Sequence, residues 1–162
     1  MQFSRVLASA LRRKNSLIVM RWRGMRNLFA YGTLMCDAIM AEVSGAHLSS
    51  ASATLRGYRR RRVKGEVYPA LVSDAESRVD GVVYWNVPPS AWARLDRFEG
   101  EMYSREVVCV ELDNGAVVSA ATYVARPEFM DYLDEAEWDS SEFPRKDKGT
   151  FCKSYIGYRA LQ

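Results

Sequence analysis

The stretch PPSAWARLDRFEGEMYSR, residues 88–105, carries a complete helix signal with one carboxylate on the apolar face. The paired prolines favour a helix start, and Gly100 favours its end, so we predict a helix over residues 88–99. At about 100° per residue, one face collects the apolar side chains of Ala91, Trp92, Leu95 and Phe98. Glu99 follows Leu95 by four residues and Trp92 by seven, so the helix phase predicts that Glu99 points toward the core.

An inward carboxylate has two interpretations. Burial without a partner raises the pKa of a carboxyl group, and a glutamate tuned in this way can accept and return a proton near neutral pH. Alternatively, Glu99 pairs with an arginine such as Arg105, or caps a neighbouring strand. On the same helix and just after it, Asp96 and Glu101 are expected to be solvated.

A second motif, FAYGTLM over residues 29–35, joins a predicted strand (residues 27–32) to a predicted helix (residues 33–45). Gly32 lets the backbone turn sharply and lets a ligand approach closely. The amides that open the following helix favour an anion such as a carboxylate or phosphate. The alternative is a plain turn in which Thr33 caps the helix start and Gly45 its end.

The rest of the chain is mostly strand-like. We predict a long or bent strand around Thr54–Tyr58, a hairpin around Asp113–Gly115, and an acidic helix or turn over residues 127–139. Two further strands are expected at residues 65–72, where Pro69 suggests an edge or bulge, and at residues 78–87. Strands outnumber helices without regular alternation, which predicts an α+β fold with a mixed or antiparallel sheet, perhaps closed into a small barrel.

The composition excludes several classes of protein. The chain has 162 residues, of which 48% are hydrophobic and 27% charged, and no apolar run approaches the ~18 residues that a membrane helix needs. The three cysteines, Cys36, Cys109 and Cys152, are far apart, and His47 is the only histidine. We therefore expect no metal site and no disulfide framework.

The positive charge is concentrated near the N-terminus. Residues 1–26 contain seven Lys or Arg and no acid, which leaves 16 basic and 20 acidic residues and a net charge of −4 in the remainder. We expect residues 1–26 to be a basic leader that is disordered or not native, or alternatively a targeting segment, and residues 27–162 to form a single domain.

Four consecutive arginines, Arg59–Arg62, invite a nucleic-acid interpretation. On a strand, however, alternate side chains face opposite ways, and no aromatic residue lies among the four. The acidic balance of residues 27–162 also opposes it. We therefore predict a solvated or edge-strand run, with no nucleic acid and no membrane as partner.

Three motifs in order resemble the gamma-glutamylcyclotransferase-like family, which includes gamma-glutamylamine cyclotransferases and avirulence-induced-gene-like proteins. They are LFAYGTLM (residues 28–35), LRGYRR with YPALV (residues 55–60 and 68–72), and LDRFEGEMYSREVV (residues 95–108). The resemblance covers roughly residues 27–125. It implies a small β-barrel flanked by helices, with a cavity at the barrel mouth.

The resemblance also implies the site. Glu99 matches the catalytic glutamate and would act as general acid and base. The loop Tyr31, Gly32, Thr33 and Leu34 would offer backbone amides to the α-carboxylate of a γ-glutamyl group. Tyr103 would lie near the pocket, with Arg105 structural or orienting, while Tyr68 and Pro69 would line or support the cavity.

The implied reaction is cyclisation of a γ-glutamyl amine or peptide to 5-oxoproline, with release of the free amine and without metal or cofactor. We expect a cytoplasmic enzyme whose partner is a small-molecule γ-glutamyl substrate. The leaving amine stays open between glutathione, a γ-glutamyl amino acid, a lysine isopeptide and another γ-glutamylamine, as does the oligomeric state. The alternative is a non-catalytic module that binds a small carboxylate or a partner.

Overall fold

The computed structural model describes residues 25–138, so the predicted leader up to residue 24 and the tail from residue 139 lie outside the described residues. The described part contains six strands: β1 Leu28–Ala30, β2 Ser50–Val63, β3 Pro69–Tyr84, β4 Tyr103–Leu112, β5 Val117–Ala125 and β6 Leu133–Glu137. Two α-helices accompany them, α1 Asp37–Ser44 and α2 Trp92–Glu99. None of the helices in this part is long and apolar enough to cross a membrane.

Five of the strands close into a barrel. The order is β3-β1-β5-β4-β2, and β2 pairs with β3 to complete the circle. The β1–β5 pairing is parallel and the others are antiparallel, so the barrel is mixed. The sixth strand, β6, pairs antiparallel with β2 outside the circle. The predicted α+β fold with a small mixed barrel flanked by helices is therefore confirmed.

The two longest strands correct the sequence prediction. Residues 65–72 and 78–87 were expected to form separate strands, but Pro69–Tyr84 is one strand paired along β2. The polar segment Asp74–Ser77 lies where the register shifts, opposite Gly57, whose φ is +82°. The strand therefore continues through its polar middle because a bulge absorbs it. Pro69 is the first residue of β3, a position where its missing N–H disturbs no ladder.

Close backbone approach brings β1 onto β3. Every residue of β1 is buried, and Ala30 pairs with Val82. A Cβ on Gly81 would collide with the Ala30 carbonyl oxygen and lie 2.8 Å from the Phe29 ring. Only glycine fits at this position.

The predicted hairpin around Asp113–Gly115 is confirmed. β4 and β5 pair from Tyr103 opposite Ala125 to Glu111 opposite Val117. Gly115 has a φ of +82°, a conformation that glycine adopts without penalty. The hairpin brings the start of β4 and the end of β5 to the same end of the barrel.

The predicted helix over residues 88–99 is present as a 3₁₀ turn, Pro89–Ala91, followed by α2. Gly100 ends it with a φ of +79°. Leu95 and Phe98 are buried, as the amphipathic pattern indicates. Arg94 ties α2 to α1 by donating to the Val43 carbonyl at 2.6 Å.

The segment predicted as an acidic helix or turn is a 3₁₀ turn, Pro127–Tyr132, and then strand β6. This strand carries acidic residues that pair with the arginines of β2: Arg59 and Arg61 lie 3.4 Å and 3.1 Å from Glu135. Arg61 also donates to the Asp134 carbonyl at 2.7 Å. The prediction of a solvated run was wrong, since Arg59–Arg62 are all half-buried and β2 has a neighbour on each side there.

Candidate functional site

A pocket opens at the end of the barrel where β1 runs into α1. Its cavity is small, about 20 Å³, and is partly open to solvent. Its walls come from the end of β1 and the loop after it, the start of β3, the end of α2, the start of β4 and the end of β5. The lining residues are Leu28, Phe29, Ala30, Tyr31, Gly32, Thr33, Leu34, Tyr68, Pro69, Glu99, Tyr103 and Tyr123.

All the residues that the sequence singled out for catalysis or substrate binding lie in this pocket. They are Tyr31, Gly32, Thr33, Leu34, Glu99 and Tyr103, with Tyr68 and Pro69 beside them. The barrel thus gathers segments that are up to 72 residues apart in the chain. Their individual roles stay predictions, and the pocket establishes only that they share one space.

Glu99 is the last residue of α2 and forms part of the pocket wall. Burial, and secondarily the nearby charge of Asp96, raises the pKa of its carboxyl group to about 8. Within residues 25–138 its carboxylate makes no hydrogen bond and no ion pair. A carboxyl group with a pKa near 8 holds its proton at neutral pH but releases it readily.

The alternative in which Glu99 pairs with Arg105 is wrong. The Arg105 guanidinium lies 3.3 Å from an Asp96 carboxylate oxygen and 4.8 Å from the centre of the Trp92 ring. Asp96, expected to be merely solvated, therefore has an ion-pair partner, and its carboxylate also accepts a 2.7 Å hydrogen bond from the Tyr123 hydroxyl. The two carboxylates of α2 have opposite surroundings.

Tyrosine hydroxyls tie the pocket walls together. Tyr103 donates to the Pro69 carbonyl at 2.9 Å, and Tyr31 donates to the Tyr123 carbonyl at 2.7 Å. Burial and then the charge of Glu99 raise the pKa of Tyr103 well above its usual value, and burial is also the leading cause that raises the pKa of Tyr123. These hydroxyls therefore stay protonated and act as fixed donors. Tyr123 was not predicted, because nothing in the β5 sequence distinguishes it from a core tyrosine.

The loop after β1 presents backbone donors. A 3₁₀ turn, Thr33–Met35, precedes α1, and its hydrogen bonds run from Met35 N–H to Gly32 and from Cys36 N–H to Thr33. The N–H groups of Gly32, Thr33 and Leu34 donate to no backbone acceptor in residues 25–138. Adjacent amides of this kind suit an anion.

Two details of this loop correct the sequence prediction. Thr33 does not cap a helix: α1 starts at Asp37, and Gly32 precedes the 3₁₀ turn. Instead the Thr33 hydroxyl is buried with no hydrogen-bond partner in the described part of the chain. Gly32 is needed chiefly for packing, because a Cβ there would lie 2.9 Å from Pro69 Cγ. The predicted C-cap at Gly45 is confirmed, with a φ of +76°.

The described residues offer no conventional metal site. Among residues 25–138, no three His, Cys, Asp or Glu side chains are grouped closely enough to hold an ion. The polar chemistry of the pocket rests on one carboxyl group, hydroxyl groups and backbone amides.

Comparison with known proteins finds a matching family model and several similar proteins. The family model for "Gamma-glutamyl cyclotransferase, AIG2-like" matches residues 28–145. AIG2-like protein C of Arabidopsis thaliana is 32% identical over 139 residues, covering 83% of this chain and 80% of that protein. The solution structure of another Arabidopsis thaliana protein is 30% identical with a TM-score of 0.62, covering 80% of this chain and 79% of that one.

A structure described as a gamma-glutamyl cyclotransferase shares the fold. It superposes with a TM-score of 0.55 at 18% identity, covering 62% of this chain and 66% of that one. The mixed barrel with flanking helices is therefore common to these proteins.

Proposed function

This chain belongs to the gamma-glutamyl cyclotransferase, AIG2-like family, and we propose that it cyclises a γ-glutamyl amine or peptide to 5-oxoproline. The observation that carries the proposal is Glu99, a carboxyl group with a pKa of about 8 and no partner in the described residues, placed in one pocket with unused amide donors. A pocket built only to bind a small carboxylate has no use for such a group.

The substrate would be held by its α-carboxylate. The N–H groups of Gly32, Thr33 and Leu34 are suited to that charge, and the buried Thr33 hydroxyl supplies a further donor. Fixing the α-carbon in this way places the α-amino group and the γ-carbonyl group in a folded arrangement. Holding the two ends of one molecule together supplies much of the acceleration.

The reaction exchanges one amide bond for another. The neutral α-amino nitrogen attacks the γ-carbonyl carbon, a carbon–nitrogen bond forms, and a five-membered ring closes. The attacking nitrogen passes one proton to the Glu99 carboxylate. Glu99 then gives that proton to the departing nitrogen as its bond to the γ-carbon breaks, so the products are 5-oxoproline and the free amine.

The raised pKa of Glu99 suits this double duty. A group with a pKa near the working pH is both a competent base and a competent acid. When the positively charged α-ammonium group enters, its charge favours the ionised form of the Glu99 carboxylate. The ammonium loses its first proton to solvent and becomes the neutral amine, so the carboxylate stays free to accept the second proton during the attack. We include the cytoplasm in the proposal, because Cys36 and Cys109 are free thiols, which are typical of a reducing compartment.

The test is direct. Purified protein is incubated with glutathione, a γ-glutamyl dipeptide, ε-(γ-glutamyl)-lysine and a γ-glutamyl alkylamine, and 5-oxoproline is quantified by mass spectrometry. We expect 5-oxoproline from at least one compound, with an equimolar free amine.

The same assay separates the alternative of a non-catalytic binding module. That alternative predicts saturable binding of γ-glutamyl compounds or 5-oxoproline by calorimetry, with no conversion of any compound. Binding without turnover across the whole panel would therefore reject the enzyme and retain the pocket.

A further inference from the structure

The second arginine of the run Arg59–Arg62 contacts the backbone of the loop that lines the pocket. Arg60 donates from its guanidinium to the Tyr31 carbonyl at 3.1 Å and lies 3.5 Å from the Asp80 carbonyl. Arg60 is not itself a lining residue of the pocket. It therefore contacts the loop after β1 without lining the pocket itself.

This contact acts on a peptide group that matters for binding. The Tyr31 carbonyl and the Gly32 N–H belong to the same peptide unit, which is planar and trans in the described chain. In a trans peptide these two groups point in opposite directions. Holding the carbonyl outward toward Arg60 turns the Gly32 N–H to the other side, where Gly32 lines the pocket.

The Trp138 ring packs against the Arg60 guanidinium. The Arg60 guanidinium carbon lies 5.3 Å from the centre of the Trp138 ring, and the Trp138 backbone N–H donates to the Arg60 carbonyl at 3.3 Å. Trp138 is only 4% exposed. Stacking on a shielded ring restricts the guanidinium and lowers the entropy that its hydrogen bonds cost.

The same tryptophan holds the opposite wall. Its indole N–H donates to the Val67 carbonyl at 2.8 Å, next to Tyr68 and Pro69 of the pocket. Gly32 and Pro69 are themselves in close contact across the pocket. Trp138 thereby links the loop after β1, through Arg60, to the start of β3.

We propose that Arg60, seated on Trp138, is a positioning residue that orients the Tyr31–Gly32 peptide so that its N–H receives the substrate's α-carboxylate. The proposal rests on the proposed function for the identity of that carboxylate, but it concerns carboxylate recognition and not the chemical step. It also gives Arg60 a role that neither nucleic-acid binding nor solvation explains.

The experiment measures carboxylate recognition apart from turnover. L-5-oxoproline and 2-pyrrolidinone share the five-membered lactam ring, and only the former has the carboxylate. Calorimetry on full-length wild type should show stronger binding of 5-oxoproline. Arg60→Met should weaken 5-oxoproline roughly tenfold or more, as expected for a lost charge-assisted hydrogen bond, and leave 2-pyrrolidinone unchanged. Arg60→Lys, which keeps one charged donor, should recover part of the loss.

The matched control is Arg59→Met. Arg59 is the neighbouring residue of β2, and its side chain pairs with Asp74 and Glu135 away from the pocket. This substitution removes the same charge from the same strand, so it should change the binding of neither compound. In steady-state assays with the fastest substrate of the panel, Arg60→Met should raise KM with little change in kcat, since the α-carboxylate is bound equally before and during reaction.

Several outcomes would overturn the inference. These are equal weakening of both lactams, no weakening of either, an Arg59→Met effect as large as that of Arg60→Met, or a wild type that does not distinguish the two lactams. Loss of the folded state in both Arg60 variants, seen by circular dichroism, would make Arg60 structural and would also overturn it. Arg60-dependent recognition without 5-oxoproline release would sustain the inference and reject the proposed function, whereas turnover with recognition indifferent to Arg60 would do the reverse.

Discussion

The interior of the pocket and the frame around it treat polar groups in opposite ways. By the frame we mean the lining tyrosines and the groups that their hydroxyls bind. Its polar groups are partnered: Tyr103 donates to Pro69, and Tyr123 donates to Asp96. In the interior, the Glu99 carboxyl group and the Thr33 hydroxyl have no hydrogen-bond partner in the described residues. The contrast is sharpest on α2, where Asp96 and Glu99 are less than one turn apart.

The contrast indicates that the unpartnered groups of the pocket interior lower the free energy of unfolding, whereas the partnered groups of the frame do not. A shielded polar group without a partner costs free energy of folding, about 1–3 kcal/mol for a neutral donor or acceptor. A frame of satisfied hydrogen bonds holds the walls in place while the interior keeps unsatisfied groups for a ligand. Such local losses are typical of functional sites, where stability and activity trade against each other.

The largest expected effect is on turnover when Glu99 is changed. Glu99→Gln keeps the shape but cannot accept a proton, so 5-oxoproline release should fall about 100- to 10,000-fold. Thermal stability should be unchanged or higher. Glu101→Gln is the control, since it removes an exposed carboxylate just beyond the helix and should alter neither. A stable Glu99→Gln protein that cyclises at near the wild-type rate would refute the proton-transfer role, and an unstable one would place Glu99 in the frame.

The second effect is on the pH dependence of stability. The folded pKa of Glu99, about 8, exceeds its ordinary value of 4.5, so the folded state retains a proton that the unfolded chain releases. The stability that this retained proton contributes is therefore fully present below pH 4.5. It declines as the pH rises toward 8, by up to about 1.4 kcal/mol per pH unit. Urea unfolding of wild type and Glu99→Gln at a series of pH values should show this decline only in wild type. If the stability of both proteins depends on pH in the same way, the pKa of Glu99 is not raised by burial and this prediction is wrong.

How far the sequence predicts this site depends on whether the signal is local. The inward phase of Glu99 follows from the period of its own helix, and the hairpin follows from Asp113–Gly115. Strand β6 was missed because LDEAE, residues 133–137, resembles a helix or turn until the arginines of β2 are placed beside it. Pairing of opposite charges across strands is a property of the fold and not of the segment.

The same limit explains the errors within the site. Thr33 looked like a helix cap because a Thr between a strand and a helical pattern usually is one. Its actual surroundings are set by the barrel, which turns it into the pocket wall. Arg105 pairs with Asp96 and not with Glu99, and that pairing depends on how the end of α2 meets the start of β4 in the fold. Tyr123 and Trp138 carry no sequence signal, since their contacts come from segments distant in the chain.

The third effect compares two buried threonines. Thr33→Val removes a hydroxyl that lacks a partner among residues 25–138, so the melting temperature should be unchanged or higher, while KM should rise roughly tenfold if that hydroxyl binds substrate. Thr122→Val makes the same change where the hydroxyl donates to the Phe29 carbonyl at 3.0 Å, and it should cost about 1 kcal/mol. Thermal melts and Michaelis–Menten curves on both proteins test this pair. Equal destabilisation would place Thr33 in the frame.

The smallest effect joins the two regions. Asp96 belongs to the frame through Tyr123 and Arg105, yet its negative charge also raises the pKa of Glu99. Asp96→Asn removes that charge, and the amide oxygen can still accept from Tyr123. The stability cost should be small, about 0–1 kcal/mol, because the Asp96–Arg105 pair is partly exposed.

The activity of Asp96→Asn should reveal the electrostatic link. With the neighbouring charge gone, the carboxylate form of Glu99 is less disfavoured, so its pKa falls below about 8. Because Glu99 acts first as a base in the proposed mechanism, the acidic limb of kcat/KM should move to lower pH while the plateau stays unchanged. The substrate's own amine titrates identically in every variant, and Glu101→Gln should leave the limb where it is in wild type. An unmoved limb in Asp96→Asn would mean that the limb does not report Glu99, and that frame and interior are electrostatically independent.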